Sequence, residues 1–326
     1  MMRRSLNALP ALMALATLAF APLGNLNAEE AFSWKTDEAK HTSDLIYNDK
    51  PVLRYMFAFD QSSPEAIHDT YKVFHHVFGP RSGEQLTKGA GGKFTHHRGL
   101  FVGWNKTKID DGPQYDFWHC KSGAHLRHVK FLNQQADASH GTMTAEIHWN
   151  DPDGAPVIKE TRTVTVSKND AGSMTIDWQT KLESQRGTIS LNGDRQHAGF
   201  QFRASQAVAD SNGARFLRPA DQPQEREAIQ VGDKGDPPPH INLNWFAETF
   251  KLGDQRYTVE YFDNPNLPKP ALFSERPYGR FGTFFKTTLT ADKPLEMNYR
   301  VVVTEGDEPS VSSIQDRYDA WLKTIK

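Results

Sequence analysis

The sequence predicts an all-β protein: an antiparallel β-sandwich, supersandwich-like, with one amphipathic C-terminal helix. Three observations carry that reading. Apolar residues recur at every second position in segment after segment. Turn-forming clusters separate those segments, and almost no alternation of strand and helix patterns interrupts them. Strand by strand, Met143, Ala145, Ile147 and Trp149 face one way along Thr142 to Trp149, with threonine, glutamate and histidine between them. Met174, Ile176, Trp178 and Leu182 repeat the theme. So do Arg162, Val164 and Val166, then Tyr257, Val259 and Tyr261, then Met297, Tyr299, Val301 and Val303. Such alternation suits strands with one buried face. A short helix is expected over 64–72. At the C-terminus a capping box over Ser312 to Gln315 opens a stripe of Ile314, Tyr318, Trp321, Leu322 and Ile325, which is one face of a helix.

The ends and loops set the domain plan. Met1 to Arg4 carry two positive charges, and Leu9 to Leu23 is an apolar stretch shorter than the roughly 20 residues a membrane span needs. Residues 1–28 therefore read as a signal peptide cut after Ala28, which implies a periplasmic or secreted protein with no membrane span after cleavage. Residues 29–326 are expected to form a single β-sandwich domain with a long loop at 218–240, rich in Pro, Asp, Gln and Gly. A loop that long commonly borders a binding cleft. The formal charge of the chain is −2, so no basic excess exists to bind nucleic acid. Cys120 is the only cysteine; it excludes an internal disulfide and is expected to be a structural thiol.

The chemistry concentrates between His68 and His128, which hold eight of the 13 histidines. In an extended chain His96 and Arg98 would share one face and His97 the other, so adjacent histidines reach one pocket only if the strand is broken. A second polar block is Asp116-Phe117-Trp118-His119. A third runs from Asn192 through His197 to Arg203. Imidazole near neutral pH moves protons, imidazole with carboxylate can hold a metal, and guanidinium with indole can bind a polyol or uronate. No phosphate loop, dinucleotide fingerprint, paired cysteines or nucleophile elbow is present. The spacing of His119, His125 and His128 fits no standard metal motif.

His96-His97-Arg98-Gly99-Leu100-Phe101 with Trp104, Asp116-Phe117-Trp118-His119, His197-Ala198-Gly199-Phe200-Gln201-Phe202-Arg203 and Arg276-Pro277-Tyr278-Gly279 resemble the signature blocks of the PmoA-like family. That family is of unknown function and common in carbohydrate-degrading bacteria. Its methane-oxygenase label implies a membrane copper enzyme, and this sequence has neither a transmembrane helix nor a clear copper motif. The layout is also similar to the galactose-mutarotase supersandwich. That resemblance implies His97 and His197 at the histidine positions, and Glu275 as the C-terminal acid, acting at the anomeric centre of a sugar.

The reading that results is an exported carbohydrate-processing enzyme, an epimerase, lyase or glycoside hydrolase. His97 and His197 are the expected acid and base, and Asp116 or Glu275 the carboxylate partner. His96, Arg98, Trp104, Trp118, His119, Arg203, Arg276 and Tyr278 are expected to hold a carbohydrate or uronate substrate. No resident cofactor is expected. The alternatives are a non-catalytic carbohydrate-binding protein and a lyase or oxygenase dependent on a divalent metal. N-terminal sequencing of periplasmic protein should find a start near Glu29; full-length chain in the cytoplasm would overturn the export reading.

Overall fold

The computed structural model describes residues 31–169, 172–229 and 240–325. The expected signal peptide, and residues 230–239 of the long loop with its proline run, lie outside the described residues. The antiparallel β architecture is as expected. One eight-stranded sheet orders Phe32–Asp37, Thr42–Tyr47, Lys50–Met56, Phe74–Val77, Leu100–Trp104, Ala198–Arg203, Arg280–Phe284 and Leu272–Arg276. A second orders Arg215–Leu217, Trp245–Leu252, Gln255–Phe262, Leu295–Glu305, Met174–Ser184, Pro156–Lys168, His140–Asn150 and His125–Ala136. A four-stranded sheet joins Thr287–Leu289, Ile189–Asn192, Lys106–Ile109 and Gln114–Tyr115.

The large sheets share one core, because each strand turns every second residue inward. Met143, Ala145, Ile147 and Trp149 are buried there with Ile176, Trp178, Val301 and Val303. Phe200 of the first sheet packs 4.8 Å from Trp178 and 4.6 Å from Tyr299 of the second, ring centre to ring centre. The C-terminal helix, Val311–Leu322, lays Ile314, Tyr318 and Trp321 on the outer face of the second sheet against Trp245 and Phe262. Its cap is Ser310, which accepts from the Ser313 N–H, two residues before the expected box. The short helix runs Pro64–Thr70 with Ser63 as its cap. A helix over Gln206–Ser211 was not expected.

The first sheet positions the chemistry. Along Ala198–Arg203, residues Ala198, Phe200 and Phe202 join the core, so Gly199, Gln201 and Arg203 face the other way. Register carries that outer face across its neighbours: Arg203 pairs with Arg280, and Arg280 with Arg276. Gly199 sits at φ 84°, and a Cβ there would meet the Thr283 carbonyl oxygen at 1.8 Å. Only glycine lets these strands approach so closely.

A charged group in the core tests how the sandwich is held. Glu160 accepts from Arg162 Nε (2.7 Å), Trp149 Nε1 (2.8 Å) and Thr180 Oγ1 (2.9 Å), and both charged side chains are fully buried. Glu160→Ala leaves the guanidinium buried and unpaired, at a cost of roughly 3–5 kcal/mol. Urea unfolding should show that loss, and adding Arg162→Met should restore most of it. A loss under about 1 kcal/mol would show that water replaces the carboxylate.

Candidate functional site

Three loops at one edge of the outer face of the first sheet build the site. The first is the glycine-rich approach. Phe94 takes φ 56° and its carbonyl accepts the His97 N–H at 2.9 Å, so a tight turn stands where an extended strand was expected. The strand starts only at Leu100. Alternation therefore does not separate His96 from His97, and their rings lie 4.6 Å apart at 85°. Gly99 makes the turn possible: a Cβ would meet the His75 carbonyl oxygen at 2.0 Å.

The other two loops use the same local device. Asp116 Oδ1 accepts the Trp118 and His119 N–H groups at 2.9 and 2.8 Å, and Oδ2 takes His119 Nδ1 at 2.8 Å. Asp194 Oδ1 accepts the Gln196 N–H and His197 Nδ1, each at 2.9 Å, while Oδ2 takes Asn105 Nδ2 at 3.0 Å. An ionised carboxylate can only accept, so each imidazole donates from Nδ1, which fixes the tautomer of the neutral ring with its lone pair on Nε2. Burial raises both aspartates, but the histidine and backbone donors outweigh it and hold each below the usual carboxylate range.

The rings converge. His119 lies 4.7 Å from both His96 and His197, and His96 lies 6.0 Å from His197. One ligand atom from each of the three falls within 4.8 Å of the others, a set able to coordinate a metal ion. His96 Nε2 is buried and has no hydrogen-bond partner. Burial, then Lys72, push the His96 ring down to about 2, so it is neutral. The side chains of His119 and His197 keep 18% and 30% exposure, which leaves the centre open to solvent.

A cationic wall adjoins this centre. Arg203 and Arg280 are both 1% exposed. Neither makes an ion pair among the described residues, and the carboxylates that attract them, Glu248 for Arg203 and Asp194 for Arg280, act from beyond contact. Arg203 donates to Gln201 Oε1 at 2.8 Å and lies over the Trp118 ring at 5.2 Å. Arg280 donates to Ser274 Oγ at 2.7 Å. Burial, then the neighbouring Arg280 cation, push Arg203 well below its usual range, yet a guanidinium stays charged in proteins. His97 clusters with Phe94 at 5.0 Å and Tyr278 at 5.7 Å, whose own rings lie 4.5 Å apart. Burial and Arg203 hold it well below the usual histidine range.

Several expected roles change. Arg98 does not face the site. Its guanidinium donates to the carbonyls of Thr95, His97 (3.0 Å) and His68 (2.8 Å), tying the turn to the short helix. Trp104 lies in the main core, with Nε1 on the Phe285 carbonyl at 3.1 Å, because strand alternation turns it inward. Trp118 is fully buried under Arg203 and is a floor rather than an exposed stacking platform. Glu275 sits one residue from Arg276 on the strand and so points to the opposite face, where it pairs with Arg218 and accepts the Ile229 N–H at 2.6 Å. It anchors the long loop instead of joining the histidines. Asp116 acts through His119 rather than beside it. Arg276 lies on the outer face, 7% exposed. His125 and His128 are elsewhere, on Gly123 and Asn150 and on Tyr55 respectively. Burial pushes the Cys120 thiol up to about 12, as suits a structural cysteine.

Sequence reasoning missed Asp194, Arg280 and Lys72. The first had a signal: Asp116 and Asp194 both stand three residues before a histidine. Arg280 and Lys72 had none, since only register and packing bring them in. Lys72 is buried against the Phe101 ring at 4.0 Å and donates to the Trp118 carbonyl at 2.5 Å.

A family model described as a family of unknown function (DUF6807) matches residues 42–319, and the chain belongs to that family. No PmoA-like family model matches, and no curated protein matches the chain. Among solved structures it is similar to the GH36 α-galactosidase AgaA from Geobacillus stearothermophilus, at 9% identity and TM-score 0.40 over 86% of this chain and 40% of that one. It is similar also to a GalM/aldose epimerase homologue from C. elegans, at 10% identity and TM-score 0.33 over 85% and 99%. A third is the α-N-acetylgalactosaminidase NagBb from Bifidobacterium bifidum, at 10% identity and TM-score 0.37 over 84% and 38%. The chain thus spans about 40% of the length of the α-galactosidase. Likeness at these levels assigns no activity.

The buried amine gives a test of the site's electrostatics. Burial pushes Lys72 from 10.5 down to about 7. Between those values the unfolded chain binds the extra proton, so stability rises with pH through that window, and the cost of the buried cation is full below about 7. Lys72→Met should therefore raise the melting temperature at pH 6 and gain little at pH 10. Equal gains at both would place the proton elsewhere.

Proposed function

We propose that this protein is an exported enzyme that binds a carboxylated carbohydrate of the uronate type and takes the proton from the carbon beside its carboxylate. The observation that carries this is the pair Arg203 and Arg280. They are buried register partners, and neither forms an ion pair among the described residues: Glu248 attracts Arg203 and Asp194 attracts Arg280 only from beyond ion-pair contact. Burying two like charges side by side costs several kcal/mol unless an anion joins them, and a guanidinium pair matches a carboxylate in shape and charge. The imidazole centre stands beside them: Trp118 touches both the Arg203 cation and, at 6.3 Å, the His197 ring.

Carbon acidity explains why these parts belong together. When the C–H bond beside the carboxylate breaks, the proton passes to the imidazole centre and the electron pair enters the C=C bond of an enediolate. The added charge falls on the carboxylate oxygens, where preorganised guanidinium donors stabilise it most. Return of a proton to the other face is epimerisation. Loss of the oxygen substituent at the next carbon, taking the pair with it, is elimination. Tyr278 and His97 at the edge of the wall are placed to bind hydroxyl groups.

The test is a panel of uronates, aldonates, neutral, phosphorylated and sulfated sugars incubated in D2O and followed by proton NMR. The expected result is loss of the signal beside a carboxylate for a uronate. Arg203→Met and Arg280→Met should each weaken binding about 10–100-fold, the worth of one charged hydrogen bond. Binding confined to neutral sugars would overturn the reading.

A further inference from the structure

We propose that His96, His119 and His197 hold one divalent transition-metal ion of the zinc, iron or cobalt class. Proton transfer needs one free lone pair. The structure supplies three, from three separate loops, all within 4.8 Å of one another. A tetrahedral site with metal–nitrogen bonds of about 2.0–2.1 Å spaces its nitrogens about 3.4 Å apart. Small rotations of the three side chains therefore close the set.

Two further features point the same way. Histidine ligands characteristically give their second nitrogen to a carboxylate, which fixes the ring and sharpens its basicity. Asp116 and Asp194 do this for His119 and His197 at 2.8 and 2.9 Å. His96 Nε2 is buried with no partner, an arrangement that costs about 1–3 kcal/mol unless something fills the space between the rings. The donor set is all imidazole, which favours borderline ions over calcium and magnesium, whose preferred ligands are oxygens. The two aspartates offset the ion's two charges from behind. Lys72 and Arg203 repel it, and an anionic substrate between wall and ion would relieve that repulsion.

The site stands on geometry alone; only its role rests on the reading above. There the ion would act as a Lewis acid toward a substrate oxygen, making the neighbouring C–H more acidic.

The test begins with elemental analysis of the purified chain. After dialysis against chelator, zinc is titrated by calorimetry and cobalt by its visible absorption. One ion per chain is expected. His96→Ala and His197→Ala should abolish binding while circular dichroism stays unchanged, and Asp194→Asn, which keeps every ligand, should weaken it about 10–100-fold. His125→Ala should bind normally. Absence of zinc and cobalt binding, or binding that survives both histidine variants, overturns the site; the space then holds water only. Metal binding without uronate exchange would keep this site and remove the proposed function. Full exchange by metal-free protein would keep the proposed function and overturn the ion's Lewis-acid role in it.

Discussion

One hydrogen bond, made twice, sets the geometry of the site. An aspartate three residues before a histidine accepts backbone N–H groups with one oxygen and closes a turn. It also takes the histidine's Nδ1. The ring is then held at both ends of a short covalent loop, and its Nε2 has little choice of direction. Asp116–His119 packs against the Trp104 end of Leu100–Trp104, and Asp194–His197 leads into the partner strand at Ala198, so the two rings meet at 4.7 Å. His96 completes the set only because the turn at Phe94 frees it from the strand.

The same strands separate the apolar core from the charged face with no added machinery. Period-two alternation sends Phe200 and Phe202 inward and Gln201 and Arg203 outward. It also sends Glu275 away from Arg276, so neighbours in sequence serve different purposes. The glutamate fastens the long loop to Arg218, and the arginine joins the outer face. The main core can then be packed almost entirely with aromatic and branched side chains while the opposite face carries the charge.

What the sequence made legible follows from these periodicities. The strand pattern, the C-terminal stripe and the gathering of His96, His97, His119, His197, Arg203 and Tyr278 could be read, because alternation and the clustering of imidazoles are local signals. Residues whose roles depend on which face they occupy were harder. Trp104 has the composition of a sugar platform, but its place in the strand makes it core. Arg98 lies among site residues and yet spends its donors on backbone carbonyls. His75, packed between Tyr55 and Trp178, shows that a histidine-rich stretch also feeds the core. Arg280 follows the Arg276–Gly279 block and Lys72 lies inside the His68–His128 stretch, but a lone basic residue carries no mark of its own; strand register and loop packing deliver both.

Among the described residues, the five fully buried arginines fall into two groups. Arg162 and Arg218 each meet a buried carboxylate, Glu160 and Glu275. Arg98 meets three carbonyl oxygens. In each case the desolvation cost is offset inside the protein, and the side chain needs nothing further to explain it. Arg203 and Arg280 differ. Their hydrogen bonds go to neutral groups, and each sits beside the other's charge. Glu248 and Asp194 attract the pair, but neither comes into ion-pair contact with it, so the two charges are less fully answered than those of Arg162 and Arg218. Leaving the pair open makes the site less stable alone than with a bound anion, which is the condition under which binding energy becomes available for chemistry.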